Sequence, residues 1–328
     1  MVTPRYTRRR ERGLLVTLSH VLNELRYPTT PRAKISVGVL AALVFLFLCL
    51  FVVGGFLLSG ALVPRQAGET IDPSSLLINV EVVEFATPEG ETLKGWFFPG
   101  ARGGPAVILC HGYRSSRLDI LTLATTLQHH RYNVFTFNFA GHGDSPVGYT
   151  TLGYKETEEL LAALEALAAR DDIDRERIGL WGYSLGGYAV LNAAPRFPAV
   201  KAVVVDSVYL RPAQMLELDR NRAGVGHIPV LSSVTLVEFY FLSWFWGNPG
   251  ALLESVADTA GLPKLFITGN DAPQLAEMTR DLFASAPDPK ELKEMSGTNM
   301  ASLLEGQRHD YENLVVNFFL RYLPLVET

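Results

Sequence analysis

Ile178-Gly179-Leu180-Trp181-Gly182-Tyr183-Ser184-Leu185-Gly186-Gly187-Tyr188-Ala189-Val190-Leu191 decides the fold of this 328-residue chain. Residues 178–181 read as a short strand buried on both faces. Residues 185–194 begin a helix with no intervening linker. Between them sits Gly-x-Ser-x-Gly, a pattern that composition alone produces about once in ten chains of this length. The motif is weak by itself; its strand–turn–helix setting makes it a nucleophile elbow. Glycines two before and two after the serine let the neighbouring backbones close up. The Leu185 amide, at a helix N-terminus, can then face a developing oxyanion. The alternative is a plain small-residue turn without chemistry.

Working outward, Val107-Ile108-Leu109-Cys110-His111-Gly112-Tyr113 is a second buried strand, ending in His-Gly. Its loop offers the Tyr113 amide as a second oxyanion donor, with the His111 side chain bracing the loop. Gly141-His142-Gly143-Asp144-Ser145 follows the next strand and shapes the floor of the site. The remaining pattern alternates strands and helices. Strands are expected at 78–85 and 91–98 as antiparallel edges, then at 106–110, 133–139, 178–181, 199–205, 264–268 and 291–295. Helices are expected at 118–130, 155–169, 185–194, after Pro273, and from about Asp310. This is an α/β domain with a mostly parallel sheet and helices on both faces. Sites in such sheets form at the carboxyl ends of strands.

Residues 1–34 hold eight Lys/Arg against Glu11 and Glu24, a net of +6, which leaves −11 for the rest of a chain whose total is −5. Residues 35–63 carry no charge and exceed the roughly 20 apolar residues that span a bilayer. The reading is a cytoplasmic basic leader (1–34), a single transmembrane helix (35–63), and an extracytoplasmic domain (65–328) with a helical cap around 207–260. A cleaved signal peptide, with Ser59-Gly60-Ala61 as its small residues, fits less well. Net charge argues against a nucleic-acid partner. Two cysteines, one of them in the span, exclude a disulfide scaffold, and no spacing reads as a metal site. Within the cap, residues 228–246 are rich in apolar and aromatic side chains, and Glu238 is their only charge. They are expected to be a helix packed over the sheet, ahead of a cap that faces the membrane.

The ordered stretches Leu93-Lys94-Gly95-Trp96, Leu109-Cys110-His111-Gly112, Gly141 to Ser145, Gly153 with Glu156, Gly182 to Gly187, and Ala202 to Ser207 resemble the α/β-hydrolase superfamily. Its serine aminopeptidase-like or acylglycerol-lipase-like branch matches over about residues 78–323. The resemblance implies an eight-stranded sheet and a Ser–acid–His triad in that chain order. It also implies cleavage of an ester, amide or thioester through an acyl-enzyme, with no metal or organic cofactor. The triad it implies is Ser184, Asp271 and His309, with the Tyr113 and Leu185 amides as oxyanion hole. Substrates would be small or lipid-derived acyl compounds. The sequence departs from the family at two places. Counted without gaps, Ala272 stands at the acid position and Met300 at the base position, and His309 only caps the last helix. Asp206 is a second candidate acid. The competing reading is a catalytically degenerate, membrane-tethered binding or scaffold module.

Overall fold

A computed structural model describes residues 26–64, 79–145, 148–246 and 252–325, so the basic leader up to residue 25 lies outside the described residues. The described chain divides into two units, one ending at Phe56 and the other starting at Leu57. Helix α1 (Pro31–Leu62) supplies nearly all of the first. Thr30 starts it, its hydroxyl accepting the Ala33 amide at 3.1 Å. It is the one helix among the described residues long and apolar enough to cross a membrane. At 1.5 Å per residue, residues 35–56 alone give about 33 Å of apolar helix, enough for a hydrocarbon core of about 30 Å.

The last turn of α1 belongs to the second unit. A helix end leaves its final carbonyls without partners, and the second unit supplies donors for three of them. Arg114 donates to Gly60 O at 3.1 Å and the Tyr113 phenol to Ala61 O at 2.8 Å, while the Thr150 amide donates to Leu62 O at 2.7 Å. Leu58, Ala61 and Leu62 are buried in its core.

The second unit is built on one eight-stranded sheet in the order β1-β2-β4-β3-β5-β6-β7-β8. Strands β1 (Glu81–Ala86), β2 (Thr92–Phe98) and β4 (Asn133–Phe137) are antiparallel neighbours. Strands β3 (Gly104–Cys110), β5 (Ile173–Tyr183), β6 (Val200–Asp206), β7 (Lys264–Gly269) and β8 (Lys290–Met295) run parallel. Only β1 of the first pair is an edge; β2 lies inside, against β4. Successive residues of the central strands alternate between two cores. Ile108, Leu180, Val203 and Phe266 face one. Val107, Leu109, Trp181 and Val204 face the other. Both faces being covered explains the unbroken apolar runs. Lys290, Lys293 and two glutamates protect the far edge strand.

Helices α3 (Tyr154–Ala168), α4 (Leu185–Ala193) and α8 (Pro273–Ser285) cover the first face. Helices α2 (Leu121–His129) and α9 (Glu305–Tyr322) cover the second. After β6 the cap contributes α5 (Pro212–Arg222), α6 (Pro229–Phe245) and the short α7 (Leu252–Ser255). Helix α9 starts five residues before the expected Asp310. No Ser, Thr, Asp or Asn marks that start; Gln307 closes it by accepting the Leu304 amide at 3.3 Å.

Candidate active site

β5 stops at Tyr183 and α4 begins at Leu185, leaving Ser184 alone on the corner with φ 51° and ψ −105°. Positive φ is uncommon for a residue with a Cβ and persists only when surrounding bonds enforce it. Here the Ser184 amide donates to Asp206 O at 2.8 Å, and its carbonyl accepts the Tyr188 amide at 3.0 Å. The glycines are needed for close approach. A Cβ at Gly182 would lie 2.4 Å from the Gly186 backbone, and one at Gly186 would lie 2.2 Å from Cys110 O. The Gly186 amide also donates to His111 O at 3.1 Å, tying the loop after β3 to the start of α4.

That loop carries Tyr113. Among the described residues, neither its amide nor that of Leu185 has an acceptor. The Leu185 amide stands at the corner, at the positive end of α4, and the Tyr113 amide lies on the loop that Gly186 ties down. His111 braces the loop as expected. Its Nε2 accepts the Phe139 amide at 3.1 Å and its Nδ1 donates to Gly112 O at 2.8 Å, which defines the neutral tautomer. Burial, then the neighbouring His142, holds its pKa well below the usual imidazole value. His142 fixes its own turn, with Nδ1 on Ala140 O at 3.1 Å. Glu156 serves the floor by accepting the Gly153 amide at 2.8 Å and the Thr151 hydroxyl at 3.0 Å.

Asp271 follows β7 and reaches the turn after β8. Its carboxylate accepts the amides of Thr298 and Asn299, both at 3.1 Å. Met300 comes next, buried in the same core as Trp181 and Tyr311. It lines a cavity of about 250 Å³ together with Gly112, Tyr113, Trp181 and Tyr183. The structure does not bring His309 to this place. His309 is exposed in the second turn of α9 and makes no hydrogen bond or ion pair among the described residues. The cause is helix geometry: residues two apart point about 200° from each other, and Tyr311 is the one turned inward.

A family profile described as alpha/beta hydrolase fold matches residues 105–227. The chain aligns with the Pyrococcus furiosus esterase Pf2001 with a TM-score of 0.63 at 21% identity, covering 80% of this chain and 98% of that one. The chain has the α/β-hydrolase fold. Among sequence relatives, Rv2307c of Mycobacterium tuberculosis is 28% identical over 246 residues, covering 74% of this chain and 80% of its own. A thiohydrolase of Eupenicillium brefeldianum is 24% identical over 289 residues, covering 71% and 90%.

Within this hydrolase fold, Asp206 belongs to a buried network that the sequence did not disclose. Its carboxyl group accepts the Tyr311 hydroxyl at 2.7 Å and the Ser207 hydroxyl at 2.8 Å. Tyr311 in turn accepts the Trp181 indole N–H at 3.1 Å, and the Ser207 and Thr298 hydroxyls lie 3.0 Å apart. Burial pushes the Asp206 pKa up to about 7 despite these donors. With both carboxyl oxygens engaged, Asp206 acts as a strut between β5, β6, α9 and the turn after β8. The cap closes the site from above: Ser184 is buried, and its Oγ lies 4.0 Å from the Met215 sulfur of α5.

Proposed function

We propose that the chain is a membrane-anchored serine hydrolase that opens an ester or thioester, and more slowly an amide, through an acyl-enzyme. The observation that carries this reading is the strained Ser184 corner, followed by the unengaged Leu185 amide, with the unengaged Tyr113 amide on the loop tied to Gly186. Ser184 Oγ would attack the acyl carbon. The two amides would hold the developing oxyanion, the leaving group would depart with a proton, and water would release the acid. The names of the Pyrococcus esterase and the Eupenicillium thiohydrolase favour oxygen and sulfur esters over peptides. Asp271 holds the turn after β8. His309, the base that the family resemblance implies, is exposed on α9, so attack would rely on solvent as base. An oxyanion hole and binding alone still leave about 10³–10⁴-fold acceleration over water. Helix α1 would tether the domain, and the basic residues before it would place the N-terminus in the cytoplasm.

A second reading, a non-catalytic acyl-binding module, is favoured by Met300, whose thioether lines the cavity beside the elbow. Labelling of the full chain by a fluorophosphonate separates the two. Covalent labelling lost in Ser184→Ala supports the hydrolase; a folded protein that takes no label supports the module.

A further inference from the structure

Helix α6 is turned inside out for a helix of a water-soluble domain. Its inward side carries Leu231, Thr235, Glu238, Phe239 and Ser243, so three of five buried positions are polar. Its outward side carries Val230, Val237, Tyr240, Phe241, Trp244 and Phe245, which at 100° per residue form one stripe about 140° wide. These side chains are open: Val237 is 67% exposed, Phe241 61%, Trp244 80% and Phe245 73%. The one charged residue of the helix, Glu238, is the one it buries. A contiguous apolar face of this kind on a soluble monomer marks an interaction surface.

The position of α6 names the occupant. Trp246, which ends the helix, stacks on Tyr149 at 5.9 Å. The next residue, Thr150, donates to Leu62 O at the end of α1. The outer cap therefore adjoins the point where the apolar helix enters the domain. Residues 35–56 already suffice to cross a hydrocarbon core, and residues 57–62 are packed into the domain. Tryptophan, tyrosine and phenylalanine are the side chains that settle at the headgroup level of a bilayer.

We infer that the outer face of α6 lies in the interface of the same bilayer that α1 crosses, making the cap a second membrane contact. This rests on α1 being a retained anchor. The contact covers about 25 Å of helix, and α6 is tied to α5, whose Met215 shields Ser184, by Arg220 donating to Ser232 O at 2.6 Å. The occupant is lipid rather than protein, because the stripe offers no charge, its Ser233 hydroxyl is already tied to Pro229 O at 2.9 Å, its Tyr240 phenol and Trp244 indole N–H are groups suited to the headgroup level, and it adjoins the end of an apolar helix.

The test uses the full chain in phosphatidylcholine nanodiscs. Two of its four tryptophans, Trp96 and Trp181, are buried in the domain and out of reach of a quencher in the acyl chains, so quenching reports chiefly on Trp244 and Trp246. With acyl chains brominated at carbons 6 and 7, emission should be quenched, and Trp244→Phe should remove at least half of that quenching. Phe241→Asp, which alters only an exposed position, should weaken it at least twofold while Trp244 remains. An unquenched chain that stays in the bilayer through an alkaline carbonate wash overturns the inference and spares the anchor. Quenching unchanged in Trp244→Phe also overturns it, as does Trp244 cross-linking one copy to another. A chain released by carbonate and unquenched fails on the anchor itself.

Discussion

The Tyr311 hydroxyl donates to the Asp206 carboxyl group at 2.7 Å across the join of α9 and β6. This bond fixes the rotation of α9, and with it the outward direction of His309. It also closes a chain of contacts from Trp181 at the end of β5 to Thr298 after β8. The strands that carry Ser184 and the Asp271 turn are thereby held by a buried carboxyl group.

Asp206 should write itself into the pH dependence of stability. Its folded pKa of about 7 lies above the ordinary carboxylate value, so the folded state binds this proton more tightly than the unfolded one. Its contribution is complete below about pH 4, declines as pH rises through 7, and is flat above. Thermal unfolding of the wild type and Asp206→Asn in the same detergent should show the wild-type advantage shrinking between pH 4.5 and 7.5. A constant difference over that range would mean that the carboxyl group is already ionised in the fold.

Gly186→Ala should be far costlier than an ordinary helix-start substitution. The added carbon meets the backbone of Cys110 at 2.2 Å, which no rotamer relieves. Destabilisation of about 3 kcal/mol is expected from overpacking, together with loss of Ser184 labelling. Gly306→Ala, in α9 where nothing lies within 4 Å, serves as the control and should unfold no earlier than the wild type, since alanine is favoured over glycine in a helix by up to about 1 kcal/mol. Denaturant melts of the three proteins decide it.

His309→Ala should change little. The residue is exposed and unpartnered among the described residues, so stability should move by less than about 0.5 kcal/mol. Fluorophosphonate labelling of Ser184 should stay within threefold of wild type. Its rate should climb steadily with pH from 6 to 9, without the plateau that a titrating imidazole base imposes. A loss of a hundredfold or more would show that α9 rearranges to deliver His309.

Met300→His places an imidazole on the wall that Met300 shares with Tyr183 and Gly112, beside the turn held by Asp271. General-base catalysis is worth about 10²–10⁴-fold, and imperfect placement should still leave at least a tenfold rise in labelling rate. The rate should acquire an inflection near the imidazole pKa. An unchanged rate would mean that this wall does not face the serine.

The legible part of the site was the part built from local backbone. Glycines at 182 and 186 between a buried strand and a helix admit few conformations, so the Ser184 corner and the Leu185 donor could be read in order. The sheet was legible for the same reason, since strands buried on both faces need unbroken apolar runs. Asp271 could be placed at the end of β7 but not given partners, because its acceptors are filled by amides 27 and 28 residues later. The inward face of α9 was hidden because no cap residue marks its start. Tyr311 points inward only because Asp206, more than a hundred residues earlier, lies opposite.

Sequence by itself determined the long apolar helix, the alternating α/β order and the serine corner, all of which follow from short-range periodicity and from the steric freedom of glycine. Tertiary structure alone decided which carboxylate meets which donor, that His309 faces solvent, that Met215 covers Ser184, and that α6 exposes its most apolar side. Those outcomes depend on the rotation of helices about their axes, which is set by packing against residues distant in the chain.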